Sequence, residues 1–338
     1  MQTSSSSPQS DLERRAALDL LRAGRRFVLC GHMRPDGDCI GAQTALTAVL
    51  EALGKEVWII NPDPIQPQLD FLAQETTFRV YEGGALPVHD VSVMLDFCEL
   101  ERTGPLKAPL VASSSKKLVI DHHLFHGQPW WDAAYVDARA AATGLLVHRI
   151  ARELGVELST RAAQGIYTSI VTDTGWFKYS NTDAETFRVA SELVARGVEP
   201  ARMFGSIYQR NSREQPLGVA RALSRLRYAA DGRIAMIDLP QAGAGEVDLP
   251  DGDDVLDLLR AVGRVEVVLF LRELKDGKVK LSARSKSEFD VNRLARGFGG
   301  GGHAKASGAT LAGPLDGVRE RLLAAAEAQL GELESEAR

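Results

Sequence analysis

Four runs of consecutive apolar residues recur between residues 26 and 123. Strands covered on one face alternate apolar and polar residues, whereas strands covered on both faces are apolar throughout. Segments with a helical period separate the runs, as at 38–53. We therefore predict an α/β fold in which helices flank a mostly parallel sheet of five-stranded type. The four runs are RFVLCGH (26–32), KEVWIIN (55–61), VSVMLDF (91–97) and KKLVIDHH (116–123).

The length of 338 residues suits two domains better than one. The polar start of the chain, 1–10, predicts a disordered tail. We assign 11–212 to the first domain, 213–229 to a helical linker and 230–333 to a smaller α/β domain. Helices are expected at 140–154, 159–172, 183–196, 200–209 and 213–228, near 253–262 and 290–297, and from about 315; further strands are expected at 231–239, 265–273 and 278–285, and a loop at 240–252.

The net charge of the chain limits which macromolecules we expect it to bind. The formal net charge is −5, and no run rich in Lys or Arg stands out. Proteins that hold long nucleic acid carry a basic face, because phosphate neutralisation supplies most of the affinity. Long duplex nucleic acid is therefore not expected as a partner. No segment has the ~18–20 apolar residues of a membrane span, and the N-terminus lacks the pattern of a secretory signal. We expect no membrane contact and a cytoplasmic location.

The three cysteines, Cys30, Cys39 and Cys98, are odd in number and lack zinc-ligand spacing. They do not indicate a secreted disulfide framework. Each lies beside one of the strand-end motifs described next. Two interpretations stay open, namely small apolar residues of buried elements or a thiol near a metal.

Acidic and imidazole side chains follow three of the apolar runs, and a fourth acid follows a helical segment. A lone aspartate in such a place is often a helix cap or a turn former. Several carboxylates at the carboxyl edge of one sheet would repel each other, and bound divalent cations remove that conflict. Oxygen-rich ligands with some imidazole favour Mn²⁺ or Mg²⁺, and a pair of such ions supports displacement at phosphorus. The residues are His32, Asp36, Asp38, Asp96, Asp121, His122, His123 and Asp173.

Four motifs in this order make the pattern specific. They are PDGDCIG (35–41), LDF (95–97), DHH (121–123) and TDTGWF (172–177), and FGGGGHAKASG (298–308) follows near the C-terminus. The chain resembles the DHH (Asp-His-His) phosphoesterase superfamily with its DHH-associated C-terminal domain. Within it the chain is most similar to the bifunctional oligoribonucleases and pAp phosphatases, the nanoRNases. The resemblance runs from about residue 23 to residue 333.

The resemblance implies two Mn²⁺ ions, with Mg²⁺ as the alternative metal. One ion would be held by His32, Asp36 and Asp96, and the other by Asp38, Asp96, His122 and Asp173, so that Asp96 bridges them. Asp96 and Asp38 would act in catalysis together with His123, which would contact a phosphate oxygen. Asp121 would orient a ligating imidazole, and Arg102 would support the site. Many relatives have serine and aspartate where this chain has Cys98 and Glu99.

The glycine-rich segment 297–309 is either a turn without function or a loop whose amides hold a phosphate. A nearby arginine could pair bidentately with a terminal phosphate. In the resembled family, this loop and an arginine-serine pair face the metals across an active-site cleft between the domains. The matching positions are Arg284, Ser285, Gly301, Gly302 and His303, with Lys286, Lys305 and Ser307 close by.

The resemblance implies an enzyme in which a metal-activated water attacks phosphorus. The implied substrates are RNA fragments from dinucleotides to pentanucleotides, released as mononucleotides, and 3′-phosphoadenosine 5′-phosphate (pAp), released as AMP. A phosphodiesterase of linear or cyclic dinucleotides, such as pApA or cyclic di-AMP, is the alternative within the same class. A RecJ-type exonuclease and a family II pyrophosphatase fit less well. The alternative from another class is a non-catalytic nucleotide-binding regulator. Many relatives form homodimers.

Overall fold

The computed structural model describes residues 8–125, 127–243, 246, 252–286 and 288–336. The chain divides into two compact units, Met1–Arg210 and Asn211–Arg338. The sequence predicts a disordered tail at 1–10. Residues 1–7 lie outside the described residues, and residues 8–10 belong to the first helix. Most of the loop predicted at 240–252 also lies outside the described residues.

The first unit contains a parallel sheet flanked by helices, which confirms the predicted fold class. In the described part of the chain its strand order is β3-β2-β1-β4-β5-β6, so the sheet has six strands instead of the predicted five. The strands are β1 (Arg26–Cys30), β2 (Glu56–Asn61), β3 (Phe78–Val80), β4 (Val91–Leu95), β5 (Lys116–Asp121) and β6 (Ala133–Val136).

Helices cover both faces of this sheet, and the continuous apolar runs form its core. Phe27 and Leu29 lie on one face of β1 and Val28 and Cys30 on the other, and all four are fully buried. The helices are α1 (Pro8–Ala23), α2 (Gly37–Ala52), α3 (Lys107–Ala112), α4 (Thr143–Glu153), α5 (Thr160–Asp173), α6 (Ala184–Ala195) and α7 (Pro200–Tyr208), with 3₁₀ helices at Pro67–Gln74 and Leu100–Leu106.

The strand order reverses between β1 and β4. From β1 the chain moves outward to β2 and β3, and then returns to the other side of β1 with β4, β5 and β6. In open parallel sheets, ligands bind at the carboxyl ends of the strands beside such a reversal. The loops after β1 and β4 are those that carry His32 and Asp96.

The second unit contains a mixed sheet with the order β11-β12-β10-β9-β8-β7, in which β8 and β9 are parallel and the other pairs are antiparallel. One face packs against α10 and α11 and the other against α8 and α9. Its elements are α8 (Gln215–Leu223), β7 (Leu226–Ala229), β8 (Ile234–Leu239), α9 (Asp253–Arg260), β9 (Val267–Glu273), β10 (Val279–Ser285), α10 (Val291–Arg296), β11 (Gly301–His303), β12 (Ala306–Leu311) and α11 (Leu315–Glu336), with a 3₁₀ turn at Ala230–Gly232.

Two local predictions in this unit differ from the structure. The helix expected at 213–228 ends at Leu223, and Leu226–Ala229 form an edge strand paired with β8. The helix therefore belongs to the second unit and is not a linker that extends to 229. The glycine-rich segment is a β-hairpin of β11 and β12 and not only a turn. Among the described residues, no helix is both long and apolar enough to cross a bilayer.

Candidate metal centre

The ends of three strands and two helices meet at the carboxyl edge of the first sheet. His32 follows β1, Asp96 follows β4, and His122 and His123 follow β5. The side chain of Asp36 caps α2 by accepting from the N–H groups of residues 38 and 39. The remaining two carboxylates come from the first turn of α2 (Asp38) and the last residue of α5 (Asp173).

The first cluster contains His32, Asp36 and Asp96, each of which offers one ligand atom within 4.8 Å of the others. The Nε2 of His32 lies 3.5 Å from Oδ2 of Asp96 and 4.0 Å from Oδ1 of Asp36. These three residues are the set that the sequence predicts for one ion.

The second cluster contains Asp38, His122 and Asp173, again within 4.8 Å of one another. The Nε2 of His122 lies 3.3 Å from Asp38 Oδ2 and 3.6 Å from Asp173 Oδ2. It also lies 3.6 Å from Oδ1 of Asp96. The two oxygens of Asp96 thus face different imidazoles, one in each cluster, which is the position of a bridging carboxylate.

The tautomers of the two imidazoles explain why a cation fits here. The Nδ1 of His32 donates to the carbonyl of Met33 at 2.9 Å, and the Nδ1 of His122 donates to the carbonyl of Ala140 at 3.0 Å. Because Nδ1 carries a proton in that bond, Nε2 is the nitrogen that each ring turns toward the carboxylate oxygens, which repel one another. The buried Nε2 of His122 has no hydrogen-bond partner among the described residues. A divalent cation between these atoms turns the repulsion into coordination.

Burial and mutual repulsion shift the titration of these groups. Burial, followed by the charge of Asp38, raises the pKa of the Asp96 carboxyl well above its usual range. Burial also raises the pKa of Asp38, and it raises that of Asp173 to about 7. Burial lowers the pKa of His32, which keeps its ring neutral. Groups that are so costly to ionise without a partner charge are typical of a metal or catalytic site.

The backbone at Asp96 is strained. Its φ is 72°, in the left-handed region that non-glycine residues rarely adopt. Its N–H donates to the carbonyl of Ile120 at 3.0 Å, so the neighbouring strand holds the conformation. A strained conformation of this kind persists only where surrounding contacts hold it in place, and such conformations are concentrated at functional sites.

Several residues that the sequence did not single out hold the carboxylates in place. Asp38 accepts from the backbone of Thr143 at 2.9 Å and from Oγ of Ser169 at 2.5 Å. The hydroxyl of Thr143 donates to Asp96 Oδ1 at 3.0 Å, and Asn181 donates to the carbonyl of Asp173 at 3.1 Å. These contacts join residues up to 131 positions apart, so no local sequence signal could have revealed them.

The role predicted for Asp121 differs from what the structure shows. Its Oδ1 accepts from Nδ1 of His123 at 2.7 Å, so Asp121 orients His123, whereas the Nδ1 of His122 donates to the carbonyl of Ala140. Burial acts to lower the pKa of His123, but the hydrogen bond to Asp121 and the charges of Asp121 and Asp38 together outweigh it, so the pKa is raised overall. The carbonyl of Arg102 accepts from the N–H of Met33 at 2.7 Å, which ties the β4 loop to the residue after His32.

The three cysteines are buried, and none belongs to the ligand clusters found among the described residues. Cys98 shares a hydrogen bond with Asp121, and burial raises the pKa of its thiol. Cys39 contacts the carbonyl of Leu95 at 3.7 Å. The interpretation as small buried residues therefore describes them better than that of a thiol ligand.

Within the second unit, the residues predicted to hold a phosphate lie in one row of the sheet. Ala306 of β12 pairs with Arg284 of β10 on one side and with His303 of β11 on the other. Cross-strand neighbours point to the same face, so Arg284 and His303 share a face about 10 Å apart. Gly302 has a φ of 141°, and a Cβ there would meet the carbonyl of Ala306 at 2.6 Å, so the hairpin needs glycine at this position.

Ser285 has a different environment from its neighbour. Its side chain is 1% exposed and its hydroxyl donates to the carbonyl of Phe289 at 2.7 Å. The hydroxyl proton is thus used to hold the loop after β10. Gly301 and His303 are exposed.

The parallel sheet and the Asp/His clusters at its carboxyl edge are those of a metal-dependent hydrolytic enzyme that acts on phosphoesters. Two family models match the chain, the DHH family N-terminal domain at residues 26–170 and the DHHA1 domain at residues 251–332. The chain belongs to the DHH phosphoesterase family.

Individual relatives indicate which members of the family this chain is similar to. The chain is 34% identical to a bifunctional oligoribonuclease and PAP phosphatase NrnA of Thermus thermophilus, over 88% of each chain. It is 24% identical to a cyclic-di-AMP phosphodiesterase GdpP of Geobacillus thermodenitrificans, over 91% of this chain and 48% of that protein. A crystal structure of an exopolyphosphatase-related protein from Bacteroides fragilis superposes with a TM-score of 0.87, at 27% identity and with 95% and 98% of the two chains covered.

Proposed function

We propose that this enzyme uses two Mn²⁺ ions to hydrolyse short RNA fragments to mononucleotides and pAp to AMP. The bridging position of Asp96, between a cluster at His32 and a cluster at His122, is the observation that carries the proposal. The similarity to an oligoribonuclease and PAP phosphatase over most of both chains supports the choice of substrate. The acidic net charge of −5 supports a short substrate over a long one.

The residues of the two clusters would have the following roles. His32, Asp36 and Asp96 would hold one ion, and Asp38, Asp96, His122 and Asp173 the other. When bound, the metals supply an activated water and neutralise charge on the phosphoryl oxygens. The ligand set is rich in oxygen and contains two imidazoles, which favours Mn²⁺ over zinc.

His123 would contribute a proton-bearing imidazole beside the phosphate. The carboxylate of Asp121 fixes its Nδ1 as a donor and raises its pKa, so the ring keeps its positive charge more readily. A charged imidazole stabilises the charge that builds on the phosphoryl oxygens as the bond to the leaving nucleoside breaks.

The second unit would bind the terminal phosphate of the substrate. Arg284 and His303 share one face of its sheet, and the exposed backbone of Gly301 and Gly302 allows close approach of an anion. Ser285 would act indirectly, because its hydroxyl holds the loop after β10.

A substrate comparison tests the proposal. Hydrolysis of an RNA dinucleotide, a longer RNA, pAp and cyclic di-AMP is measured with Mn²⁺, with Mg²⁺ and with chelator. We expect fast hydrolysis of the dinucleotide and pAp with Mn²⁺ and none with chelator. Equal rates on long and short RNA would contradict the short-substrate proposal, and a preference for cyclic di-AMP would favour the alternative suggested by the similarity to GdpP.

A variant separates this enzyme from a nucleotide-binding regulator. Asp96→Asn should abolish hydrolysis and weaken Mn²⁺ binding in calorimetry, because the amide cannot bridge two cations. Asp70→Asn, which changes an exposed aspartate outside both clusters, is the matched control and should change neither. Full activity of Asp96→Asn would show that Asp96 does not bridge the metals, and inactivity of the wild-type chain on every substrate would favour the regulator.

A further inference from the structure

A pocket of about 380 Å³ lies beside the metal centre, between the loops that follow β4 and β5. Glu99, three residues after Asp96, lines one side, and Leu124, the residue directly after His123, lines the other. At about 3.8 Å per residue, the Cα atom of Glu99 lies within ~11 Å of that of Asp96. Neither the metal clusters nor the proposed phosphate-binding residues use this pocket.

The pocket has aromatic and aliphatic walls that are already in place. Phe125 and Trp130 line it together with Leu124, whose side chain is 72% exposed. The Nε1 of Trp130 donates to the carbonyl of Cys98 at 2.7 Å, which ties the β5 loop to the β4 loop. The ring of Trp131 packs 4.9 Å from Phe125 and 5.7 Å from Trp130. A preformed site of this size with aromatic walls suits a flat organic group.

Two carboxylates, of Glu99 and Glu101, line the pocket together with one amide, of Gln128, which both donates and accepts. Glu99 is exposed, and its carboxylate has no hydrogen-bond or ion-pair partner within the described parts of the chain. Glu101, the second acid of the lining, is neutralised by Lys107, whose Nζ lies 2.6 Å away. An unpaired carboxylate repels a phosphate but accepts from the amino group of a nucleobase. The occupant is therefore a base and not a second phosphate.

We propose that this pocket binds one nucleobase of the substrate and favours bases that carry an exocyclic amine over uracil. The inference rests on the proposed function, since it places the base beside the phosphate that is cleaved. Phe125 and Trp130 stack on the base, as aromatic side chains do in single-strand recognition. Glu99 accepts from the amine of adenine, cytosine or guanine, whereas uracil has no amine and offers only its ring N3–H, which has an exocyclic oxygen on each side.

Dinucleotide kinetics test this inference. We measure kcat/KM with Mn²⁺ for RNA dinucleotides that carry A or U at each position in turn. The wild-type enzyme should prefer A over U by about tenfold at one position, as expected when a polar group of the site is satisfied by only one of the two bases. Glu99→Gln should reduce that ratio toward one, because an amide both donates and accepts. Trp130→Leu should lower kcat/KM for both bases by about tenfold, which is the loss of one stacked base.

Glu56→Gln is the matched control and should leave the A-to-U ratio unchanged. Glu56 is exposed at the start of β2, at the edge of the sheet away from the metal centre. An A-to-U ratio of one at both positions in the wild type would overturn the inference, and so would a ratio that Glu99→Gln does not alter. In either case, hydrolysis of the dinucleotides would still support the proposed function. If the wild-type protein hydrolyses no dinucleotide, the proposed function fails, and calorimetry with AMP and UMP in EDTA then tests the pocket alone. AMP binding that Glu99→Gln weakens would support the pocket, and equal affinity for AMP and UMP would overturn it.

Discussion

The most constrained residue of the centre is Asp38. It is 1% exposed, and its two oxygens accept from the N–H groups of Thr143 and Gly144 and from the hydroxyl of Ser169. The two N–H groups come from the first turn of α4, where the partial positive charge of the helix favours an anion. A ligand held this firmly keeps its remaining lone pairs aimed at the metal, which raises the affinity of the site.

Removal of the hydroxyl of Ser169 should weaken metal binding. In Ser169→Ala, Asp38 loses its shortest hydrogen bond of 2.5 Å, and the N–H of Gly144 loses its nearer acceptor at 2.7 Å and keeps Asp38 at 3.3 Å. We expect Mn²⁺ affinity to fall by about 10–100-fold, as for other contacts that orient a ligand. The free energy of unfolding in EDTA should fall by about 1–3 kcal/mol, because the buried carboxylate of Asp38 loses a hydrogen bond. Calorimetric Mn²⁺ titration and urea unfolding measure the two effects.

Thr168→Ala is the matched control, one residue away on the same helix. The hydroxyl of Thr168 is also buried, but it donates to the carbonyl of Gln164 in its own helix at 2.8 Å. This variant should lose some stability and keep its Mn²⁺ affinity. If both variants lose affinity equally, Ser169 acts through general stability and does not position Asp38.

At the scale of secondary structure, the strands with long apolar runs were predictable and the short ones were not. β1, β2, β4 and β5 lie within the four runs, because burial on both faces requires apolar residues throughout. Phe78–Val80 has only three residues and lies at the edge of the sheet, where two of them are exposed. Leu226–Ala229 extends a helical pattern in sequence, and only its pairing with β8 makes it a strand. Where the local sequence pattern is weak, tertiary contacts thus determine whether a segment forms a helix or a strand.

The separation of α2 and α5 sets the distance between two ligands. Asp38 lies at the start of α2, and Asp173 is the last residue of α5. The helices approach through Gly41 and Gly165, since a Cβ at Gly41 would meet the carbonyl of Gly165 at 2.4 Å. Small residues at a helix contact let the backbones approach closely, which larger side chains prevent.

Gly41→Ala should therefore move the helices apart. The added methyl group also meets the backbone N of Ser169 at 2.7 Å, and backbone atoms cannot rotate away. We expect a loss of about 1–3 kcal/mol in the free energy of unfolding, typical of overpacking, and weaker Mn²⁺ binding because Asp38 and Asp173 separate. Urea unfolding followed by tryptophan fluorescence and Mn²⁺ titration measure the two effects.

Gly205→Ala provides the comparison, since Gly205 lies in α7 and a Cβ there meets only the end of the Gln209 side chain, at 3.4 Å. This variant should gain stability, because alanine is favoured over glycine in a helix. A Gly41→Ala protein as stable as the wild type would show that the α2–α5 contact has room for a methyl group.

At the scale of the whole molecule, the convergence of the candidate ligands could be predicted from the sequence because parallel strands end at one edge of a sheet. His32, Asp96 and His122 follow strands that pair directly, so their convergence does not depend on loop conformation. The residues that support them, such as Thr143 and Ser169, come from helices whose packing no local pattern reveals. Sequence reasoning thus predicts which side chains come together at this edge of the sheet and misses the groups that orient them.

The tryptophans allow the stability of the two units to be separated. All four, Trp58, Trp130, Trp131 and Trp176, belong to the first unit, which also contains the metal centre. Each unit has its own hydrophobic clusters among the described residues. Tryptophan fluorescence therefore reports the unfolding of the unit that binds metal, without a signal from the other.

Mn²⁺ should stabilise the first unit, and chelation should reverse the effect. Without a cation, burial and then repulsion from neighbouring carboxylates raise the pKa values of Asp38, Asp96 and Asp173. At free Mn²⁺ a hundredfold above the dissociation constant, we expect about 2.7 kcal/mol of added stability in the tryptophan-detected transition. Thermal unfolding at increasing Mn²⁺ and then in EDTA measures the shift.

Two histidine variants show whether that stabilisation arises at the proposed centre. His122→Asn removes the imidazole whose Nε2 faces Asp38, Asp96 and Asp173, so the Mn²⁺-dependent shift should shrink to a small fraction. His148→Asn removes a histidine that is also buried but contacts Glu192 at 3.0 Å outside the clusters. It should lower the unfolding temperature and keep the full shift, because the ligands are unchanged. A shift that survives in His122→Asn but disappears in His148→Asn would place the stabilising ion elsewhere in the first unit.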